Sequence, residues 1–296
     1  MQYRSFLLSV LVTTAVLVGI TGCGNNDAGD KQQPAATEQT RYLTIKGSDT
    51  MVHLVSEWAE TFMKEVPTAD LSVTGGGSGT GIAALLNNTT DICAASRSIK
   101  EKEIALAAEK NIHPTEFKVA MDGIALVVNP ANPINQLTVE QVKKIFTGTV
   151  NNWKQVGGPD QPILVLSRES SSGTFIFFQE HVLDKQDYSR TARSLPGTSA
   201  MVQNIATDIW TIGYVGLGYA QQAANKVKTI AIAPAPDQPA ILPSEATINN
   251  GTYVIARPLF LYTGGEPTGL TREFLDFTLS SQGQQIVRQA GYVPLQ

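Results

Sequence analysis

Residues 168–174 have the sequence Arg-Glu-Ser-Ser-Ser-Gly-Thr, one residue after the apolar run 163–166 and before a segment with helical character. A helix N-terminus presents unpaired backbone N–H groups and about half a positive charge, so it attracts anions. The serine and threonine hydroxyls add donors, and the planar guanidinium group of Arg168 suits a tetrahedral oxyanion. The stretch therefore predicts an anion-binding loop. The alternative is a capped helix in which Arg168 pairs with Glu169 or another carboxylate.

Two earlier loops have the same character, GSDT at 47–50 and GGGSGTG at 75–81. Each follows a short apolar run and opens a predicted helix, the first of which we expect Ser48 or Asp49 to cap. Glycine lets the backbone approach a ligand closely, and the hydroxyls of Ser48, Thr50, Ser78 and Thr80 are further donors. If the three loops converge on one point, they would surround a small oxyanion.

The composition narrows the class of function. The chain has 296 residues, with 26 acidic and 22 basic side chains and a net charge of −4, which gives no indication of nucleic-acid binding. The three histidines are scattered, and the two cysteines form no cluster with them, so we expect neither a metal site nor a cofactor. Cys93 lies in an apolar run typical of a buried strand, which predicts a structural thiol.

The N-terminus has the features of an export signal. Residues 6–20 are apolar and nearly uncharged, but shorter than the roughly 20 residues that a membrane span needs. The run ends in ITGC at 20–23, which resembles a lipobox and predicts a signal peptide at 1–22 with lipid on Cys23. The alternative is an ordinary signal peptide that contains a cysteine. Residues 23–40 are polar, which predicts a disordered tether to the membrane surface.

Strand-like and helix-like segments alternate after residue 41, which predicts an α/β fold. Two apolar strands, at 122–128 and at 253–256 before Pro258, divide the middle of the chain from its ends. We therefore predict two lobes, one from 41–125 and 256–296 and the other from 126–255, with a ligand cleft between them. Ligands of open α/β sheets bind beyond the carboxyl ends of the strands, where the three loops are expected.

Two enzyme-like patterns are incomplete. GTGIAA at 79–84 fits a dinucleotide-binding pattern, but no carboxylate ends the following strand at the required distance. Neither Ser78 nor Ser172 lies in the G-x-S-x-G sequence of a nucleophile elbow. We therefore expect a binding protein and not an enzyme. Arg97, which follows a predicted strand, is a further candidate for the cleft, or alternatively a surface arginine at a helix start.

Taken together, the motifs resemble a known family: GSDT, GSGTG at 77–81, DICAAS at 91–96, DGIA at 122–125, RESSSGTF at 168–175 and IGYVG at 212–216. They are similar to the phosphate-binding lipoproteins of ABC importers, which have the two-lobed type II periplasmic-binding-protein fold. The resemblance implies capture of inorganic phosphate, delivery to an ABC permease in the cytoplasmic membrane, and a monomer held at the cell membrane surface or in the periplasm by lipid. It places the phosphate contacts on Thr50, Ser78, Arg168, Ser172, Gly173 and Thr174.

One position departs from the enteric members of this family. They have an aspartate that accepts the proton of phosphate where this chain has Arg97, and an arginine carries only donors. The acceptor is then expected among the loop carboxylates Asp49, Asp122 and Glu169, and we favour Asp122. Other functions left open are a receptor for sulfate or molybdate, an exported phosphate-ester enzyme, and a surface phosphate sensor.

Overall fold

The computed structural model describes residues 39–295. The predicted signal peptide, the lipid on Cys23 and all of the tether except its last two residues lie outside the described residues. Within the described range, none of the helices combines the length and the apolar character needed to cross a membrane.

Strands and helices alternate as predicted, with most boundaries within a few residues of the expected ones. The strands are β1 (Arg41–Gly47), β2 (Ala69–Thr74), β3 (Ile92–Ala95), β4 (Thr115–Val128), β5 (Gln136–Thr138), β6 (Leu164–Arg168), β7 (Arg193–Leu195), β8 (Thr211–Gly216), β9 (Lys228–Thr229), β10 (Ala231–Ala233) and β11 (Ala256–Thr263). The helices are α1 (Val52–Glu65), α2 (Ser78–Leu86), α3 (Glu101–Glu109), α4 (Val139–Phe146), α5 (Gly173–His181), α6 (Thr198–Thr207), α7 (Leu217–Gln222), α8 (Glu245–Asn249), α9 (Gly269–Leu279) and α10 (Ser281–Gln289), with a 3-10 helix at Trp153–Val156.

The main sheet has the strand order β2-β1-β3-β11-β4-β8-β6-β7, with β9 also paired to β4. Strands β1, β2 and β3 are parallel to one another, and β6 is parallel to β7 and β8. The long strand β4 is antiparallel to β11 over residues 115–123 and to β8 over residues 124–128. One strand therefore joins the two parts of the sheet.

The hydrophobic core is organised in clusters on either side of this change of partner. One large cluster packs around Trp58 and Phe274 and draws its residues from 43–120 and 259–292. A second packs around Trp153 and Tyr214 and draws its residues from 124–255, together with Val293. The residue limits of the two lobes stay a prediction.

The expected late strand at 253–256 is wrong in position. Strand β11 begins at Ala256 and continues through Pro258 to Thr263. Proline lacks a backbone N–H and usually ends a central strand. Here the pairing of β11 with β3 begins only at Phe260, so Pro258 has a paired neighbour on one side, at Met121 of β4. The backbone N–H and carbonyl of Met121 are bonded to Val293, so the donor that Pro258 lacks interrupts no ladder on this side either.

Candidate functional site

The three hydroxyl- and glycine-rich loops contact one another. The backbone N–H of Gly77 donates to the carbonyl of Gly47 at 2.9 Å, which joins the second loop to the first. The N–H of Gly79, in the first turn of α2, donates to the carbonyl of Ser171 at 2.9 Å, which joins the second loop to the third. The start of α2 therefore lies against the third loop, just before α5.

Five buried hydroxyl side chains meet where the loops converge, and we name them the hydroxyl cluster: Ser48, Thr50, Ser78, Ser96 and Thr174, all at most 3 % exposed. Ser48 Oγ donates to Ser96 Oγ at 3.0 Å, and Ser78 Oγ lies 3.3 Å from Ser96 Oγ. Thr50 Oγ1 and Thr174 Oγ1 are 2.8 Å apart. Because hydroxyl groups rotate and can either donate or accept, they can turn from one another toward an oxyanion.

Arg168 is buried beside this cluster with every part of its guanidinium group engaged. Its Nη2 lies 2.6 Å from Asp49 Oδ2, and its Nη1 donates to Thr198 Oγ1 at 2.9 Å. Its remaining bonds go to the carbonyls of Leu195 and Pro196. The carboxylate partner of Arg168 is thus Asp49 of the first loop, and Glu169 is exposed.

Asp49 does not cap α1. The N-cap residue is Met51 and makes no side-chain cap bond, so the expectation that Ser48 or Asp49 caps this helix is wrong. Asp49 Oδ1 instead accepts from the N–H of Gly76 at 2.9 Å, while Oδ2 accepts from Arg168. One carboxylate therefore joins the first loop to both of the others. The preference of aspartate for the N-cap position of a helix does not predict this role.

A second buried arginine, Arg257, reaches the hydroxyl cluster from β11 and was not predicted. Its Nη2 lies 3.0 Å from Asp122 Oδ2 and donates to Thr174 Oγ1 at 2.9 Å. Its Nη1 donates to the carbonyl of Ser96 at 2.9 Å, and Asp122 Oδ1 accepts from the N–H of Leu217 at 3.0 Å. The only signal for Arg257 in the sequence is a charged residue next to Pro258. Its role depends on the pairing of β11 with β4, which are far apart in the sequence, so local patterns do not predict it.

Burial dominates the electrostatics of this pair. Removal from water raises the pKa of Asp122, against the charge of Arg257 and the hydrogen bonds from Leu217 and Arg257. The same burial lowers the pKa of Arg257, against the attraction of Asp122. Each charge would be strongly unfavourable alone at this depth, so each residue depends on the other.

The structure places other predicted site residues at or near this cluster. Ser172 caps α5, with its Oγ accepting from the N–H of Phe175 at 3.3 Å. Gly173 packs so closely that a Cβ atom would lie 2.3 Å from Ser78 Oγ, so no side chain fits there. Thr80, in contrast, is exposed and donates to its own loop at the carbonyl of Gly76.

Arg97 is buried and is not a surface residue. Its Nη1 and Nη2 each donate to one carboxylate oxygen of Glu103 at 2.8 Å. Burial favours the neutral form of Glu103, but the bonds from Arg97 and from the backbone of Lys100 outweigh it, so the pKa of Glu103 is lowered. In β3, the strand that precedes Arg97, burial raises the pKa of the Cys93 thiol, as expected of a structural cysteine.

Comparison with known proteins bears on this geometry. Residues 34–282 match the family described as the PBP superfamily domain. The chain is 34% identical over 292 residues to the phosphate-binding protein PstS of Staphylococcus haemolyticus, which covers 96% of this chain and 91% of that protein. The chain belongs to the PstS family within the PBP superfamily.

Solved structures of PstS-like proteins show the same fold. A substrate-binding protein of Clostridium perfringens with bound phosphate has a TM-score of 0.79 and 28% identity, covering 86% of this chain and all of that one (100%). An ABC-type phosphate transport receptor from Vibrio cholerae has a TM-score of 0.68 and 30% identity, covering 86% of this chain and 100% of that one. The predicted type II periplasmic-binding-protein fold is confirmed. The prediction of a binding protein and not an enzyme is confirmed by the PstS relatives.

Proposed function

We propose that this protein captures inorganic phosphate outside the cytoplasm and delivers it to an ABC permease in the cytoplasmic membrane. The observation that carries the proposal is the hydroxyl cluster, in which hydroxyl side chains from three loops meet beside two buried arginines. The names of the PstS relatives and the phosphate bound in the Clostridium perfringens structure support this ligand.

The proposed contacts use both sides of the site. Thr50 and Ser78 offer hydroxyls from the first two loops, and Thr174 with the start of α5 offers a hydroxyl and N–H groups from the third. Arg168 supplies the charged donor, with phosphate oxygens taking the place of Asp49 as its partner. Arg257 is added to the set because it already donates to Thr174. Thr80 takes no part, since it is exposed and its hydroxyl donates to the carbonyl of Gly76.

The proton that phosphate carries near neutral pH requires an acceptor, and we keep Asp122 in this role. Arg97 has only donors and is occupied by Glu103. Asp122 is fully buried, and Arg257 links it to Thr174 through two bonds of 3.0 and 2.9 Å. Asp49 is the alternative, because a phosphate on Arg168 would lie next to its carboxylate.

Access to a site this buried requires motion. Every member of the hydroxyl cluster is shielded from solvent, so the anion enters only after the loops separate. We propose that the predicted lobes 41–125 with 256–296, and 126–255, move apart about β4 and β11. Asp49–Arg168 and the Thr50–Thr174 contact join the two sides and would break on opening. Phosphate then stabilises the closed state through contacts that only this state makes.

The remaining parts of the proposal concern the anchor. We propose that residues 1–22 are a signal peptide, that Cys23 carries lipid, and that residues up to 40 tether a monomeric receptor to the membrane surface. Lipoproteins with two or more acyl chains stay stably attached, whereas a single chain binds only weakly.

Calorimetric titration of the protein from Gly24 onward tests the ligand. Phosphate, sulfate, molybdate and glycerol 3-phosphate are titrated separately, and the mixture with the ester is assayed for released phosphate. We expect tight binding of phosphate, weaker binding of the other anions and no turnover. Tight binding of sulfate or molybdate with weak binding of phosphate would overturn the assignment, and turnover of the ester would indicate an enzyme.

A further inference from the structure

A cavity of about 830 Å³ adjoins the hydroxyl cluster. Residues 97–102, which lead into α3, form one wall, and residues of α5 together with Lys185 form the other. Arg257 lies at the base of the cavity, where it also donates to Thr174 Oγ1 at 2.9 Å. The guanidinium group of Arg257 therefore separates this open space from the buried cluster.

Five residues that line the cavity are cations, Arg97, Lys100, Lys102, Lys185 and Arg257, and two are carboxylates, Glu101 and Glu180. Three of the cations have ion-pair partners, since Arg97 pairs with Glu103, Arg257 with Asp122, and Lys100 with Glu180 at 3.0 Å across the cavity. Lys102 and Lys185 are exposed and form no ion pair within residues 39–295. The unpaired charge at the mouth is thus two lysines against the single carboxylate of Glu101.

We propose that this cavity is an outer anion site, where Lys102 and Lys185 hold a hydrated phosphate ion before it enters the hydroxyl cluster. This inference rests on the proposed function. A water molecule occupies about 30 Å³ in the liquid, so the cavity accommodates the anion together with its first waters. Cations that line a cleft raise the local concentration of an anion and accelerate its association. The outer site therefore acts on the rate of capture, and the inner cluster acts on retention.

Rapid-mixing kinetics test this division. The protein from Gly24 onward is used, because residues 39–296 form one compact unit. Gln203, exposed on α6, is replaced by cysteine and labelled with an environment-sensitive fluorophore, while Cys93 is buried and does not compete for the label. Association and dissociation rate constants for inorganic phosphate are measured at low ionic strength and at about 1 M salt, where the screening length falls to about 3 Å.

The variant Lys102→Gln/Lys185→Gln is compared with Lys64→Gln/Lys118→Gln, which removes the same charge from exposed positions away from the cavity. We expect the cavity variant to associate at least about threefold more slowly at low ionic strength, with an unchanged dissociation rate and no difference at high salt. Equal association rates in the two variants, or an effect confined to dissociation, would overturn the outer site alone. If the unmodified protein does not bind phosphate, the proposed function fails and the outer site with it.

Discussion

Asp122 and Arg257 lie directly opposite each other in the antiparallel pairing of β4 with β11, with Oδ2 3.0 Å from Nη2 and both side chains fully buried. The pair connects the strand that spans both parts of the sheet to the hydroxyl cluster through Thr174. The pair can therefore contribute both to the stability of the fold and to the binding of an anion, and these two contributions are separable.

Arg257→Met should lower the free energy of unfolding by about 3–5 kcal/mol, because it leaves the carboxylate of Asp122 buried without a charged partner. The double variant Asp122→Asn/Arg257→Met should recover part of this loss. Urea unfolding at neutral pH measures both. Arg272→Met is the control, since its ion pair with Asp276 is exposed and should contribute less than about 1 kcal/mol. A single variant as stable as the unmodified protein would contradict the prediction.

Arg168→Ala should weaken phosphate binding by about 2–5 kcal/mol, the cost of truncating a buried charged contact. Ser172→Ala should cost less, about 1–3 kcal/mol, because it removes one neutral group. Calorimetry measures both affinities, and circular dichroism checks that both variants fold. Arg193→Ala, exposed on β7, serves as the control and should bind normally. Unchanged affinity in Arg168→Ala would remove the third loop from the site.

Asp122→Asn should weaken phosphate and improve sulfate relative to it. Sulfate carries no proton at neutral pH, so a site that rejects sulfate needs an acceptor for the proton of phosphate. A buried polar group that is left without its hydrogen bond weakens binding by about 10⁴-fold or more. Arg97→Asp should lower affinity without abolishing selectivity, because Arg97 is paired with Glu103. Competition titrations with the two anions compare the variants. An unchanged preference in Asp122→Asn would reject this residue as the acceptor.

The pair of Glu103 with Arg97 predicts a dependence of stability on pH. The pKa of Glu103 is lowered from its ordinary value of 4.5, so its contribution is complete above that pH and is lost as the pH falls through the lowered value. Glu103→Gln should therefore destabilise the protein by about 1–3 kcal/mol at pH 7 and by progressively less in acid. Urea unfolding across this range measures the difference. Glu109→Gln, exposed on the same helix, should show no such trend.

Cys23→Ala should abolish lipid attachment, since the thiol is the proposed acceptor of the acyl group. The variant precursor should remain uncleaved by the lipoprotein-specific peptidase, or the protein should be released in soluble form. Metabolic labelling with a tagged fatty acid, followed by membrane fractionation, measures both properties. Labelling and membrane association equal to those of the unmodified protein would show that Cys23 is not the anchor.

The local features of this fold could be predicted from the sequence because local interactions produce them. Thr138 forms the capping box with Gln141 that the spacing indicates, and α4 follows as expected. Ser172 caps α5 in the third loop. The three loops converge because each follows a strand whose carboxyl end points toward the middle of β4, from one side for β1 and β2 and from the other for β6. Loops after strands were expected at the ligand cleft, which is why Thr50, Ser78 and Thr174 could be grouped before their positions were known.

The missed features depend on contacts between distant parts of the chain. Pro258 argued for the end of a strand, yet β11 continues because only β4 pairs with it at that point. Arg257 was overlooked for the same reason, since its partner Asp122 is 135 residues away. The choice of Asp49 over Glu169 as the partner of Arg168 likewise depends on how the first and third loops meet.

The position of β11 in the sheet also constrains how the chain can fold. This strand, near the C-terminus, lies between β3 and β4 and packs Leu259 and Leu261 into the cluster formed by β1 and α1. The N-terminal segment therefore cannot complete its own core until residues 256–263 have been synthesised. Contacts of such long sequence separation slow folding and lengthen the time for which apolar strand edges stay exposed. A chain that must cross a membrane before folding gains from this delay, since premature closure of its first half would block its passage.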